Sequence, residues 1–121
     1  MKFTKSHEWI KEIGDVYHVG VSNYAQEHLS DIVYVEAESE GSSIDKGERI
    51  GTLESVKAAE DFAAPVDVEI VAFNDALADQ PELINTDPEN EGWIVTVKVL
   101  NETQLDELMD EAAYKDFLST L

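Results

Sequence analysis

The chain has no cysteine, so neither a disulfide nor a thiolate metal site is open to it, which fits a reducing compartment. Arg49 is the only arginine, and all bases together number 8 against 27 acids, for a formal charge of -19. Too few cations are present to build the basic face that nucleic acid or an anionic membrane requires, so partners with basic docking surfaces are favoured. No uninterrupted apolar run reaches transmembrane length. The opening Met1-Lys2-Phe3-Thr4-Lys5 lacks the apolar stretch of a secretory signal and is too poor in arginine for an organellar presequence. These absences lead us to expect a cytoplasmic protein, with a mitochondrial matrix protein stripped of its leader as the alternative.

Recognisable catalytic constellations are missing too. His7, His18 and His28 have no metal-helix spacing, and neither a glycine-rich phosphate loop nor a nucleophile elbow occurs. Asp87-Pro88-Glu89-Asn90-Glu91-Gly92 resembles the start of a calcium loop, but Lys98 stands where the closing bidentate glutamate belongs, so a solvated turn is the better reading. With so many carboxylates, paired acids discriminate nothing.

What is present reads as one globular domain over 1–121, with 43% hydrophobic residues and enough length to bury a core without staples. Trp9 to Ile13 and Val16 to Val21 are predicted to form a hairpin around Gly14-Asp15, and Ser22 or Asn23 caps a short helix ending near Leu29. Asp31 to Glu36 and Arg49 to Leu53 read as strands, with a loop from Ala37 to Ser43 between them and a turn at Asp45-Lys46-Gly47-Glu48. Val66, Val68 and Ile70 alternate with Asp67 and Glu69 in a strand continuing through Phe73, and Asn74-Asp75-Ala76-Leu77 forms a capped helical turn. Pro81 and Pro88 fall in a connection. From Trp93 to Leu100 the strand pattern returns, with Val95, Val97 and Val99 on one face and Thr96 and Lys98 on a solvated one.

The tail changes period. Thr103 is predicted to cap a helix carrying Leu105, Leu108, Met109 and Ala112, and Asp110 offers a second cap ahead of Tyr114, Phe117 and Leu118. The expectation is a mostly β fold with short helices, a small sandwich or barrel closed by a C-terminal helical segment over about residues 103–120.

One lysine stands out. Lys57, in Thr52-Leu53-Glu54-Ser55-Val56-Lys57-Ala58-Ala59-Glu60-Asp61-Phe62, sits among small apolar residues and carboxylates, about midway between the strand at Arg49 to Leu53 and the one beginning near Val66. A hairpin tip would fall there. An acylating enzyme could reach an amine held clear of the domain by a tight turn, and small neighbours would let it approach. Val56-Lys57 lacks the Asn-Gly or Asp-Gly of favoured two-residue turns, however. Physics permits a modification site here without demanding one, and taken alone the residues favour an ordinary surface lysine balancing local charge.

Glu54-Ser55-Val56-Lys57-Ala58 resembles the lipoyl attachment motif of the H-protein family of the glycine cleavage system. Ser6-His7-Glu8-Trp9 is similar to that family's opening segment, Val19-Gly20-Val21 with Tyr24-Ala25-Gln26 to its strand-to-helix step, and Asp31 to Glu36 to its next strand. Ala64-Pro65-Val66, Asn74-Asp75-Ala76-Leu77, Pro81-Glu82-Leu83-Ile84-Asn85 and Gly92-Trp93 continue the match in order over nearly the whole chain. The resemblance implies a lipoyl-domain-like barrel-sandwich hybrid, a non-catalytic monomeric carrier, and lipoate in amide linkage to Lys57.

In that family the lipoyl disulfide accepts an aminomethyl group from glycine at a pyridoxal-phosphate glycine decarboxylase. A tetrahydrofolate-dependent aminomethyltransferase takes the one-carbon unit, and dihydrolipoamide dehydrogenase reoxidises the dithiol. Lipoate-attaching enzymes would be further partners. A cleft receives the loaded arm, and the matching positions are Ser6, Glu8, His28 and Asp61. The chain departs from the family at Ser30 (usually glycine), Ala37-Glu38 (usually Leu-Pro), Asp67-Val68 (usually Ser-Gly) and Glu89 (usually tyrosine), which bears on partner recognition more than on lipoylation. Alternatives are a paralogue relaying lipoyl groups or serving another pathway, and an unmodified acidic interaction module that kept the fold.

Overall fold

A computed structural model describes residues 1–121. In chain order the strands are β1 (Lys2–Phe3), β2 (Glu8–Ile13), β3 (Val16–Val21), β4 (Ile32–Ala37), β5 (Ser43–Ile44), β6 (Arg49–Ser55), β7 (Ala59–Ala63), β8 (Val68–Phe73) and β9 (Val95–Val99). The helices are α1 (Asn23–Leu29), α2 (Ala76–Asp79), α3 (Leu83–Thr86) and α4 (Glu111–Leu118), with a 3₁₀ helix at Glu102–Glu107. Six strands form one antiparallel sheet in the order β1-β2-β3-β9-β8-β5, and β4-β6-β7 form a second.

Alternation decides which side chains face inward. Val19 and Val21 of β3, Val68 and Ile70 of β8, and Val95 and Val97 of β9 are all buried, as are Ile50 and Leu53 of β6. They belong to one apolar cluster that spans both sheets, so the fold is a sandwich whose two inner faces share a core. A full burial of each such side chain contributes roughly 1.5–3 kcal/mol. Thr96 is half-buried and Lys98 exposed, as the strand period requires.

The first hairpin turns at Gly14, whose φ of +61° suits a residue without Cβ. Ser22 then caps α1 by accepting from the Ala25 N–H. Trp9 anchors a smaller cluster with Phe3 and Tyr114, and its indole N–H donates to the carbonyls of Val21 and Pro88.

Two expectations are corrected. Thr103 caps no helix: it lies within the 3₁₀ segment, which follows Asn101, and its hydroxyl donates to Asn101 Oδ1. The pattern Leu105, Leu108, Met109 and Ala112 is not one helix, because the chain is extended at Leu108 and Met109 exchanges two backbone hydrogen bonds with Phe3. Pairing with the N-terminal strand overrides the local helical period there. Asp110 does cap α4, accepting from the Ala113 N–H at 2.8 Å.

The second correction is β7, which pattern reading passed over. Its sequence, Ala-Glu-Asp-Phe-Ala, has little intrinsic β preference, and its pairing with β6 from Glu54↔Ala59 to Arg49↔Ala63 makes it a strand. The partner of the Arg49 strand therefore begins at Ala59 rather than near Val66. Gly51 permits this three-stranded sheet: a Cβ there would collide with the Glu36 carbonyl and come within 2.8 Å of the Phe62 ring.

Candidate functional site: a hairpin lysine and an acidic cleft

Lys57 lies in the three-residue connection Val56-Lys57-Ala58 between β6 and β7, exposed to solvent. Ser55 organises this turn. Its N–H donates to the Ala58 carbonyl at 2.8 Å, its Oγ accepts from the N–H groups of Lys57 and Ala58, and its hydroxyl donates to the Ala58 carbonyl. One hydroxyl with a single donor and two acceptor lone pairs is thereby used in full. The Val56 N–H donates to the Asp31 carbonyl, tying the tip to the start of β4. The favoured turn residues are absent because a serine side chain supplies the closure instead.

Ser6, Glu8, His28 and Asp61, the four predicted cleft residues, line one cavity of about 250 Å³. They come from the turn before β2, from β2, from the last turn of α1 and from β7. Glu8 is buried, at 4% exposure, and is held by three donors: Thr4 Oγ1 and Ser6 Oγ on Oε1, and the Ala63 N–H on Oε2. Such a carboxylate is fixed in place, since hydrogen bonds to an ionised acceptor are the stronger kind. Asp61 is exposed at the cavity rim, where Oδ1 accepts from Thr52 Oγ1 at 2.8 Å and lies 3.5 Å from Arg49 Nε. His28 is exposed, with Nδ1 2.8 Å from the Tyr24 carbonyl and its ring 4.3 Å from that of Tyr24.

The cavity also has walls that the sequence did not single out. His7, Tyr24, Leu53, Glu60 and Phe62 line it. A signal existed for one part: Thr4 and Ser6 precede Glu8 at four and two positions, supplying hydroxyls that a buried carboxylate needs. His7 has a φ of +75°, and burial lowers its pKa, with nearby Glu8 opposing and His28 reinforcing that shift.

The departures acquire physical explanations. Val68 opens β8 in the core and needs no positive φ, while Asp67 accepts from the Lys46 N–H and donates its own N–H to Gln104. Glu38, where a proline has no N–H, donates to the Ile50 carbonyl and pairs with Arg49. Glu89 accepts from the N–H of Asn23 at the start of α1. Ser30 occupies φ 63°, ψ −164°, a region that favours glycine. The Asp87 turn is closed by its carboxylate accepting from the Glu91 N–H.

A two-sheet β sandwich that presents a lysine at a hairpin tip has a lipoyl-domain-like fold. A family model described as the glycine cleavage H-protein matches residues 1–121. The glycine cleavage system H protein of Bartonella quintana is 49% identical over 116 residues, covering 96% of this chain and 95% of that protein. That of Thermotoga maritima is 47% identical over 116 residues, covering 96% and 94%. The crystal structure of a glycine cleavage system H protein from Mycobacterium marinum superposes with a TM-score of 0.86 at 32% identity, covering 99% of this chain and 96% of that one. This chain belongs to the glycine cleavage H-protein family, and its role is that of a non-catalytic lipoyl carrier in glycine cleavage. No helix is long and apolar enough to cross a membrane.

Proposed function

We propose that residues 1–121 form one carrier domain in which Lys57 bears the lipoyl group, and that the cleft of Ser6, Glu8, His28 and Asp61 receives the cargo end of the arm. The observation that carries this reading is the Lys57 turn itself. An exposed amine stands at a tip that Ser55 holds with four hydrogen bonds, on the hairpin whose second strand runs directly to Asp61. Even fully extended, the four-residue step from Lys57 to Asp61 spans at most roughly 13 Å, and the turn at Lys57 and Ala58 shortens it, within reach of a long acylated side chain folding back along β7.

The residues present fit the group. Acylation removes the lysine charge, and the apolar walls Leu53 and Phe62 suit an aliphatic arm, while Glu8, Glu60 and Asp61 suit a cationic amine at its end. When attached, lipoate would supply a disulfide that can take up an aminomethyl group and that is regenerated by oxidation of the dithiol left once the group has been passed on. The chain's own contribution is to present the amine, orient the arm and exclude water from the cargo. Glu8 is the fixed acceptor because three donors hold it, and Asp61 is the adjustable one at the rim. The partners that follow are the pyridoxal-phosphate glycine decarboxylase, the tetrahydrofolate-dependent aminomethyltransferase, dihydrolipoamide dehydrogenase and the lipoate-attaching enzymes. Bacterial relatives favour a cytoplasmic setting over a mitochondrial one.

The test is the intact and peptide mass of protein isolated from its own host. One lipoyl group on Lys57, lost in Lys57→Ala, is expected. A chain always unmodified in a host that lipoylates other proteins would overturn the reading and leave the unmodified interaction module.

A further inference from the structure

We propose that Tyr114, on the C-terminal helix, is a positioning residue for the cleft: it holds His7 as the neutral Nε2–H tautomer and so preserves the negative charge facing the cargo. The inference rests on the reading of this cleft as the place where a cationic cargo docks.

A short chain of hydrogen bonds carries the argument. His7 Nδ1 lies 2.7 Å from the Tyr114 hydroxyl, which lies 2.7 Å from Ser22 Oγ. Ser22 is fully buried, and its Oγ already accepts from the Ala25 N–H. The Ser22 hydrogen therefore needs an acceptor, and the Tyr114 oxygen is the one within reach. With that donation made, the Tyr114 hydrogen points to His7 Nδ1. An Nδ1 that accepts carries no proton, so the ring proton sits on Nε2. The opposite direction leaves a buried serine O–H without a partner, which is costly.

The same chain selects against charge. An imidazolium would have to donate from Nδ1 to the Tyr114 oxygen, leaving one hydroxyl hydrogen in the pair without an acceptor. The groups facing His7 are Glu8 on its own segment, Tyr24 and His28 on α1, Glu60 and Asp61 on β7, and Tyr114 and Phe117 on α4. Among these, Glu8, Glu60 and Asp61 can offer charge to a cation. An imidazolium beside Glu8 would offset that charge and repel the cargo. Tyr114 thus gives the C-terminal helix a role in the cleft, although 107 residues separate it from His7.

The experiment uses the full chain and Tyr114→Phe, which removes only the hydroxyl and keeps the ring stacked on Phe3 at 4.2 Å. Two-bond proton–nitrogen correlations of the unmodified protein read the His7 tautomer directly. We expect Nε2–H alone in the parent at neutral pH, and in Tyr114→Phe a mixture of tautomers with protonation at higher pH. The second readout is loss of the aminomethyl cargo from lipoylated protein, expected to be roughly three- to tenfold faster in Tyr114→Phe, the scale of one hydrogen bond. Nδ1–H in the parent overturns the proposal with no variant needed, as does a tautomer unmoved by the substitution. An unchanged cargo lifetime in Tyr114→Phe, with faster loss in Glu8→Gln, overturns the positioning role but not the cleft. A lifetime unchanged in both overturns the cleft reading and this proposal together.

Discussion

Replacing Ser30 by glycine should stabilise the protein, and the size of the gain follows from one backbone position. Ser30 ends α1 at φ 63°, ψ −164°, a region essentially reserved for glycine, where a residue with Cβ costs about 1–3 kcal/mol. The surroundings over-determine this conformation. Asn85 accepts from the Ile32 N–H through Oδ1 and donates to the Ser30 carbonyl through Nδ2, so it clamps both sides of the corner. The Ser30 hydroxyl makes no hydrogen bond that glycine would forfeit. Against the relief stands the greater freedom of glycine in the unfolded chain, about 0.4–1 kcal/mol. The net expectation is a gain of about 1 kcal/mol, seen as a higher urea midpoint at unchanged slope and a melting temperature raised by about 4 °C. Ser30→Ala keeps the Cβ and should gain nothing. A destabilised Ser30→Gly would refute the strain argument, and an equal gain in both variants would assign it to the hydroxyl.

Gly51→Ala should act in the opposite sense, since its Cβ would meet the Glu36 backbone carbonyl and the Phe62 ring. A loss of about 3 kcal/mol is expected from overpacking, and a urea midpoint within error of the parent would show that β4 and β6 can separate freely. Glu8→Gln should leave lipoylation of Lys57 intact, because Glu8 is not part of the hairpin tip. It should, however, shorten the lifetime of the aminomethyl cargo about tenfold, the scale of a charge-assisted hydrogen bond of about 1.5 kcal/mol, measured by ammonia or formaldehyde release. An unchanged lifetime would remove Glu8 from the docking contacts.

Much of the sandwich was legible because strand periodicity is a local property. Val95, Val97 and Val99, or Val66, Val68 and Ile70, announce a buried face within a handful of residues. β7 was not legible for the complementary reason: Ala59 to Ala63 carries no β-branched residue, and its strand character comes from the register with β6. The tail failed in the same way. Leu105 to Ala112 has helical spacing, but Met109 is claimed by Phe3, more than a hundred positions away, and no window of sequence contains that competitor.

The site divides along the same line. Lys57 could be singled out because its signal, a cation among small residues, lies in one short stretch, and the resemblance then gave it a chemistry. The cleft is assembled from segments whose hydrogen bonds span 55 residues between Glu8 and Ala63, and 107 between His7 and Tyr114. Only an ordered family match could pair Ser6 and Glu8 with Asp61 beforehand, and it could not supply the residues that hold them. Burial explains why those holders matter. Asp61 is exposed and held through Oδ1 alone, whereas Glu8, at 4% exposure, keeps its charge aimed at one place because Thr4, Ser6 and the Ala63 N–H fix both oxygens. If the cleft receives a cationic cargo as proposed, its selectivity would reside less in the number of acids, of which this chain has a surplus, than in the few that are prevented from moving.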